Sequence, residues 1–303
     1  MQDPTAIIEI MRLPLSLPWK INHVQVQTIS WCNRSCAFCP SQKFPRQLEF
    51  MSLETYQRIL AELAALGFAG RFSLYLQGEP LLDKRLPELV ALARAALPRA
   101  RQLISTNGDA LTVDKGIGLF EAGLHKLIIN CYDPDGNQVA RMHELVREMI
   151  GRLPDLRYVK GSHARMIRSE PRGRIRREVT IEDKTWWKED SAQNWAGNIA
   201  GALPEPLKKS CIRPFNQLYI HYNGNVVLCC CDWRGEVIFG NLTQASLSEV
   251  YSSPIATQYR ENLARKNRQL KLCDVCDYRG NHRWQDRLML SAYRALNQAR
   301  GTL

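Results

Sequence analysis

Between residues 22 and 160, short apolar runs alternate with stretches whose apolar positions recur every three or four residues. His23 to Ser30, with Val24, Val26 and Ile29, predicts a first strand. Ser52 is a good N-cap with Glu54 in the first turn, and Leu53, Tyr56, Ile59, Leu60 and Leu63 follow at helical spacing until Gly67. Arg71 to Leu76 predicts a strand, and Leu86, Leu89, Val90 and Leu92 predict a helix. Arg101 to Ser105 is the next strand, and Thr112 caps a helix that stops near Gly123. Lys126 to Tyr132 is a nearly unbroken apolar run, as in a parallel strand covered on both faces. A helix near Asn137 to Ile150 and a strand near Leu156 to Lys160 follow. Repeated βα units with short links predict an α/β fold, either a parallel barrel or a doubly wound sheet. In both, the chemistry belongs at the C-terminal ends of the strands.

After residue 160 the pattern weakens. Six arginines (165, 168, 172, 174, 176 and 177) fall within thirteen residues, followed by a candidate last strand around Val179 and Ile181. Trp186, Trp187 and Trp195 crowd the next stretch, and Pro204 and Pro206 mark a boundary. Gln217 to His221 and Asn225 to Cys230 then read as strands of a hairpin turned by Tyr222-Asn223-Gly224. Trp284 to Ala299 reads as a closing helix. The expected organisation is an N-terminal extension over 1–22, a barrel over 23–203 and a smaller domain over 204–303.

Composition changes this picture in two ways. Lys plus Arg is 41 against 30 for Asp plus Glu, a net charge of +11 that points to an anionic partner. With no signal-peptide pattern and no membrane-length apolar run, a cytoplasmic location is expected. There the ten cysteines are not expected to form disulfides, and several are expected to be metal ligands or reactive thiols.

Cys32, Cys36 and Cys39 follow the first strand as Cys-x3-Cys-x2-Cys. Three thiolates in one loop can hold three corners of a [4Fe–4S] cubane and leave one iron open. Structural zinc would need a fourth ligand, for which His23 is nearby.

This loop resembles the hallmark of the radical S-adenosylmethionine (SAM) enzymes, which place it after the first strand of a partial (β/α)6 barrel. The resemblance implies that SAM binds the open iron and is cleaved by one electron, from a flavodoxin or ferredoxin, to a 5′-deoxyadenosyl radical that takes a substrate hydrogen. Phe38 matches the aromatic that lies near the adenine, although a packing role is open. Gln77-Gly78-Glu79-Pro80 is similar to the family's Gly-Gly-Glu-Pro motif for the SAM amino group, with Gln77 in place of the first glycine. Ser105 and Asn107, in Ser-Thr-Asn-Gly, resemble the segment near the SAM ribose; an ordinary Asn-Gly turn is the alternative.

Cys211, Gly224, Cys229, Cys273 and Cys276 form Cys-x12-Gly-x4-Cys … Cys-x2-Cys, which resembles the small α+β auxiliary-cluster domains called SPASM and Twitch. The resemblance implies a second [4Fe–4S] cluster held by these four cysteines; a four-cysteine zinc ribbon is the alternative, and Cys230 or Cys231 could replace Cys229. Cys131, Cys230 and Cys231 remain. Each is a small buried hydrophobe or a hydrogen-atom donor, with Cys231 and Cys131 the donor candidates. A donor would make an epimerase; electron transfer to the auxiliary cluster would make a dehydrogenase. The spacing is similar to that of the aminocyclitol dehydrogenases and aminoglycoside epimerases. Only 31 residues precede Cys32, too few for the leader-binding module of peptide maturases, so a small carbohydrate-like substrate is expected over a short peptide. Nucleic acid is not expected, because no basic and aromatic RNA module accompanies the charge. The arginine run is either an anion clamp or a solvated surface, and Asn194 to Asn198 either line the site or pack as a linker.

Overall fold

The computed structural model describes residues 21–160, 177–188, 193–199, 201–280 and 284–299. Nearly all of the expected N-terminal extension and all but the last of the six arginines lie outside the described residues. Arg177 itself bonds Asp155 at 3.2 Å.

Each expected βα unit forms. Strand β1 (His23–Val26) leads to helix α1 (Leu53–Ala65), β2 (Arg71–Ser73) to α2 (Leu86–Ala96), β3 (Arg101–Thr106) to α3 (Val113–Glu121), and β4 (Lys126–Cys131) to α4 (Asn137–Arg152). Strands β5 (Leu156–Tyr158) and β6 (Arg177–Asp183) complete the curved part. The caps act as their chemistry dictates. The Ser52 hydroxyl accepts from the Thr55 amide at 3.1 Å and the Thr112 hydroxyl from the Lys115 amide at 3.2 Å.

Strand alternation then divides the residues between two environments. Val24, Val26, Phe72, Ile104, Leu127 and Ile129 point into the helix-covered core with Tyr56, Ile59, Leu60 and Leu63 of α1. Burial of each such aliphatic side chain contributes roughly 1.5–3 kcal/mol. His23, Gln25, Arg71, Ser105 and Asn130 line a cavity on the other face. In the same alternation Glu178 accepts from Arg101 at 3.0 Å and Lys126 at 3.3 Å. Lys126 and Glu178 are both buried, so each needs the other's charge.

The second half continues the same sheet. Helix α5 (Arg213–Asn216) leads into β7 (Gln217–Ile220), which pairs in parallel with β1, Val24 opposite Leu218. β8 (Asn225–Val227) and β9 (Ile238–Asn241) add antiparallel. The strand order is β5-β6-β4-β3-β2-β1-β7-β8-β9. Gly224 takes φ +83° in the β7–β8 turn, a conformation that favours glycine. Helices α6 (Leu247–Tyr251), α7 (Pro254–Ala264) and α8 (Trp284–Ala299) follow. Among the described residues no helix is long and apolar enough to cross a membrane.

The strands are shorter than expected. β1 ends at Val26 and β8 at Val227, so residues 228–231 are not extended strand. The Asp232 amide bonds the Cys229 carbonyl at 3.0 Å, closing a turn across the three consecutive cysteines. Cys229 and Cys230 therefore lie in a turn, not in the strand over Asn225 to Cys230 that the sequence suggested.

Candidate active site

A cavity of about 900 Å³ opens on the concave face of the sheet. Cys32, Cys36 and Cys39 stand in its wall, on the loop after β1. Asn107 Nδ2 approaches Cys32 Sγ at 3.8 Å, and Ser41 Oγ donates to Cys39 Sγ at 3.3 Å. Burial pushes the Cys32 thiol up to about 11 and Cys36 up to about 12, and neighbouring thiolates push further. Three thiols that share one opening fit a cationic iron cluster that takes them as thiolates. Arg34, between the first two cysteines, anchors the loop. It bonds Asp109 at 2.6 Å and Asp133 at 2.7 Å, tying the loop to the ends of β3 and β4. Sequence reasoning missed this triad; its only signal was a charged residue inside a ligand loop.

Gln77, Gly78 and Glu79 run against the chain that leads into Cys32. The Glu79 amide bonds the Trp31 carbonyl at 2.9 Å. A Cβ on Gly78 would lie 2.2 Å from the Ile29 carbonyl oxygen, so this position admits no side chain. The Glu79 carboxylate accepts from Thr106 Oγ1 at 2.5 Å, the Asn107 amide at 2.8 Å and the Leu81 amide at 3.0 Å. Burial nevertheless pushes it up to about 7, the three donors opposing. Ser105 and Asn107 line the cavity beside it. The Gln77 side chain is engaged by the second half of the chain. Its Nε2 donates to the carbonyls of Asp232 at 3.1 Å and Cys230 at 3.3 Å, and its Oε1 accepts from Arg46 at 2.5 Å. Arg46 also bonds the Trp233 carbonyl and lies 4.9 Å from that indole ring. The side chain that replaces glycine thus latches the motif to the cysteine turn, leaving only its backbone for a ligand.

Phe38 packs at 5.0 Å from Tyr132 and edge-on to Trp187 at 5.2 Å, and its carbonyl accepts from Trp195 Nε1 at 3.0 Å. Lys184, just past β6, reaches the same corner. Its Nζ donates to Asn130 Oδ1 at 2.7 Å and lies 4.4 Å from the Trp187 ring. Burial pushes this ammonium down to about 8, with Glu182 opposing. Lys184 is a second residue that sequence reasoning missed, because a lysine at a strand end gives no pattern.

The other cysteines gather in the second half. Cys273 feels the charges of Cys229, Cys211 and Cys276, and burial pushes it well up. Cys211 is pushed up to about 11, again by burial. Cys211, Cys229, Cys273 and Cys276 share one neighbourhood, a donor set that fits an iron cluster. Among the described residues no three donors converge as a single metal ion requires. A cubane sets each thiolate on its own iron. Asn194 stitches the preceding segment to this site, bonding the Val275 carbonyl at 2.7 Å, while Trp195 lines the cavity.

The two expected hydrogen donors are not brought to the cavity. Alternation sends Asn130 and Tyr132 inward and Cys131 outward into the helix-covered core, at 0 % exposure. Cys231 is 1 % exposed among Cys229, Cys230 and Cys276. Cys230 is the spare thiol in the cavity wall.

Comparisons with known proteins agree with this geometry. Residues 26–166 match the radical SAM superfamily and residues 211–277 match SPASM, an iron–sulfur cluster-binding domain. The S-adenosyl-L-methionine-dependent 2-deoxy-scyllo-inosamine dehydrogenase of Niallia circulans is 28% identical over 258 residues, covering 84% of this chain and 92% of that one. A GTP 3′,8-cyclase of Chlorobaculum tepidum is 33% identical over 105 residues, covering 34% and 31%. The crystal structure of BtrN in complex with AdoMet and 2-DOIA aligns with TM-score 0.66 at 26% identity, covering 85% of this chain and 93% of that one. With one set of thiols in the cavity wall and a second set beyond it, the chain carries a radical SAM domain and a SPASM iron–sulfur domain, and takes SAM and two [4Fe–4S] clusters as its cofactors.

Proposed function

We propose that the protein dehydrogenates an alcohol carbon of an aminocyclitol-like or other carbohydrate-like small molecule. The observation that carries this reading is one cavity walled by the SAM-side thiols Cys32, Cys36 and Cys39 and by Cys230, Arg213 and Tyr278 beside the second thiol set. Coverage of 92% of a 2-deoxy-scyllo-inosamine dehydrogenase supports it.

In this reading Cys32, Cys36 and Cys39 hold the first cluster, and Cys211, Cys229, Cys273 and Cys276 the second. When bound, these groups and SAM supply a hydrogen-abstracting 5′-deoxyadenosyl radical and a one-electron acceptor. Phe38 offers a face to the adenine, Gly78 a bare backbone, and Glu79, Ser105 and Asn107 polar atoms to the rest of SAM. Lys184 is the proton acceptor for the substrate hydroxyl: it lines the cavity, and burial favours its neutral form. An acidic one-electron carrier of the flavodoxin or ferredoxin class suits the chain's +11 charge.

Cys230 favours one second reading, epimerisation, because it places a thiol where a substrate radical could be quenched. One experiment separates the two. The reconstituted protein is incubated with SAM, a reductant and candidate aminocyclitols in deuterium oxide. A product two mass units lighter, without deuterium, is expected. Deuterium at an inverted carbon, lost in Cys230→Ala, would replace dehydrogenation by epimerisation. Neither product from any polyol would overturn both and return short peptides to consideration.

A further inference from the structure

Two buried guanidiniums flank the second thiol set. Arg213 is 9 % and Arg268 2 % exposed. Arg213 directs Nη1 to Cys231 Sγ at 3.1 Å and Nη2 to Gln193 Oε1 at 3.4 Å, with its guanidinium 3.6 Å from the centre of the Tyr278 ring. Arg268 donates to the carbonyls of Lys209 at 2.8 Å and Ser210 at 3.3 Å. Among the described residues neither has a carboxylate partner. A buried cation held only by dipoles costs several kcal/mol unless a negative charge completes it. Four thiolates on a cubane are such a charge. Only Arg213 of the two also stands in the wall of the substrate cavity.

We propose that Arg213 tunes the second cluster: its fixed cation, on the cavity side of the thiols, makes that centre the better acceptor of the electron leaving the substrate. Cluster potentials respond to net charge, hydrogen bonds to sulfur and exposure; Arg213 supplies the first, and its hydrogen bond to the neighbouring spare thiol Cys231 fixes where that charge sits. Oxidising a CH–OH group to a ketone sends the C–H hydrogen as an atom to the 5′-deoxyadenosyl radical and the O–H hydrogen as a proton to the base. One electron remains for the acceptor, which passes it to an external carrier of the flavodoxin or ferredoxin class. That electron balances the one consumed in cleaving SAM. The proposal rests on the dehydrogenation reading and on Cys211, Cys229, Cys273 and Cys276 as ligands. Because guanidinium does not titrate, its effect is independent of pH.

The test uses the full-length protein with Cys32, Cys36 and Cys39 all changed to Ala, so that only the second cluster assembles. Its midpoint potential is measured by EPR-monitored titration at pH 7 and 9 for the parent, Arg213→Met and Arg213→Lys. Methionine, which keeps the bulk and removes the charge, should disfavour reduction at least tenfold, about 59 mV for one electron. Lysine should give less than a threefold change at pH 7, and the methionine shift should not depend on pH. A methionine variant with its four irons and the parent's potential would overturn the proposal. Should methionine fail to assemble the cluster, Arg213→Gln carries the same expectation and the same refutation. The deuterium and mass experiment decides dehydrogenation separately, so a failure of either idea is recognisable.

Discussion

Lys184 owes its chemistry to desolvation. Its ammonium is driven down to about 8, so it is mostly protonated at pH 7 and becomes an acceptor as the pH rises through 8. Product formation should therefore increase through that range while SAM cleavage does not. Lys184→Met should lose product about 10²–10⁴-fold, the usual weight of a positioned base, with 5′-deoxyadenosine still formed. Lys184→Arg should erase the rise, because guanidinium stays charged. Nothing in the sequence distinguished this lysine, since its burial comes from Tyr132, Trp187 and Asn130, brought together only by the fold. The cysteines were more legible. Ligand spacing is local, so both ligand sets could be named from Cys-x3-Cys-x2-Cys and Cys-x12-Gly-x4-Cys. Facing is not local: whether Cys131, Cys230 or Cys231 meets the cavity depended on where β4 and β8 end.

Helices announce themselves through caps and periodicity, and Ser52 and Thr112 sit where their chemistry requires. Strand ends carry no such mark, so β8 was drawn too long and the turn at Cys229 to Asp232 was hidden. At the element scale the sharpest prediction concerns the segment after β2. Gly78→Ala forces a methyl group to 2.2 Å from the Ile29 oxygen and 3.0 Å from that of Trp31. Backbone cannot yield as a side chain can, and overpacking of this kind costs about 1–3 kcal/mol or more. The displaced chain leads directly into Cys32. Iron analysis should show the first cluster lost and the second kept, about four irons per chain instead of about eight.

Across the whole molecule, the pairing of β7 with β1 makes one sheet of what the sequence divided into a barrel and a small domain. Iron released from the second thiol set should therefore lower the stability of the first half as well. Thermal unfolding followed by circular dichroism and by cluster absorbance should give coincident transitions; two separated steps would contradict this coupling. The +11 charge acts at the same scale. Reduction by an acidic carrier should slow as ionic strength rises, which stopped-flow absorbance would measure; a salt-independent rate would deny the charge any part in docking.

The latch at Gln77 and Arg46 bears on protein engineering. Both residues belong to the first half, yet they hold the carbonyls of Cys230, Asp232 and Trp233 in the second. A chimera joined near residue 203 would graft a foreign cysteine turn onto a latch made for this one. Recombination between relatives should work only when the residues at 46 and 77 travel with the segment from 204 onward, so the portable unit is discontinuous in sequence.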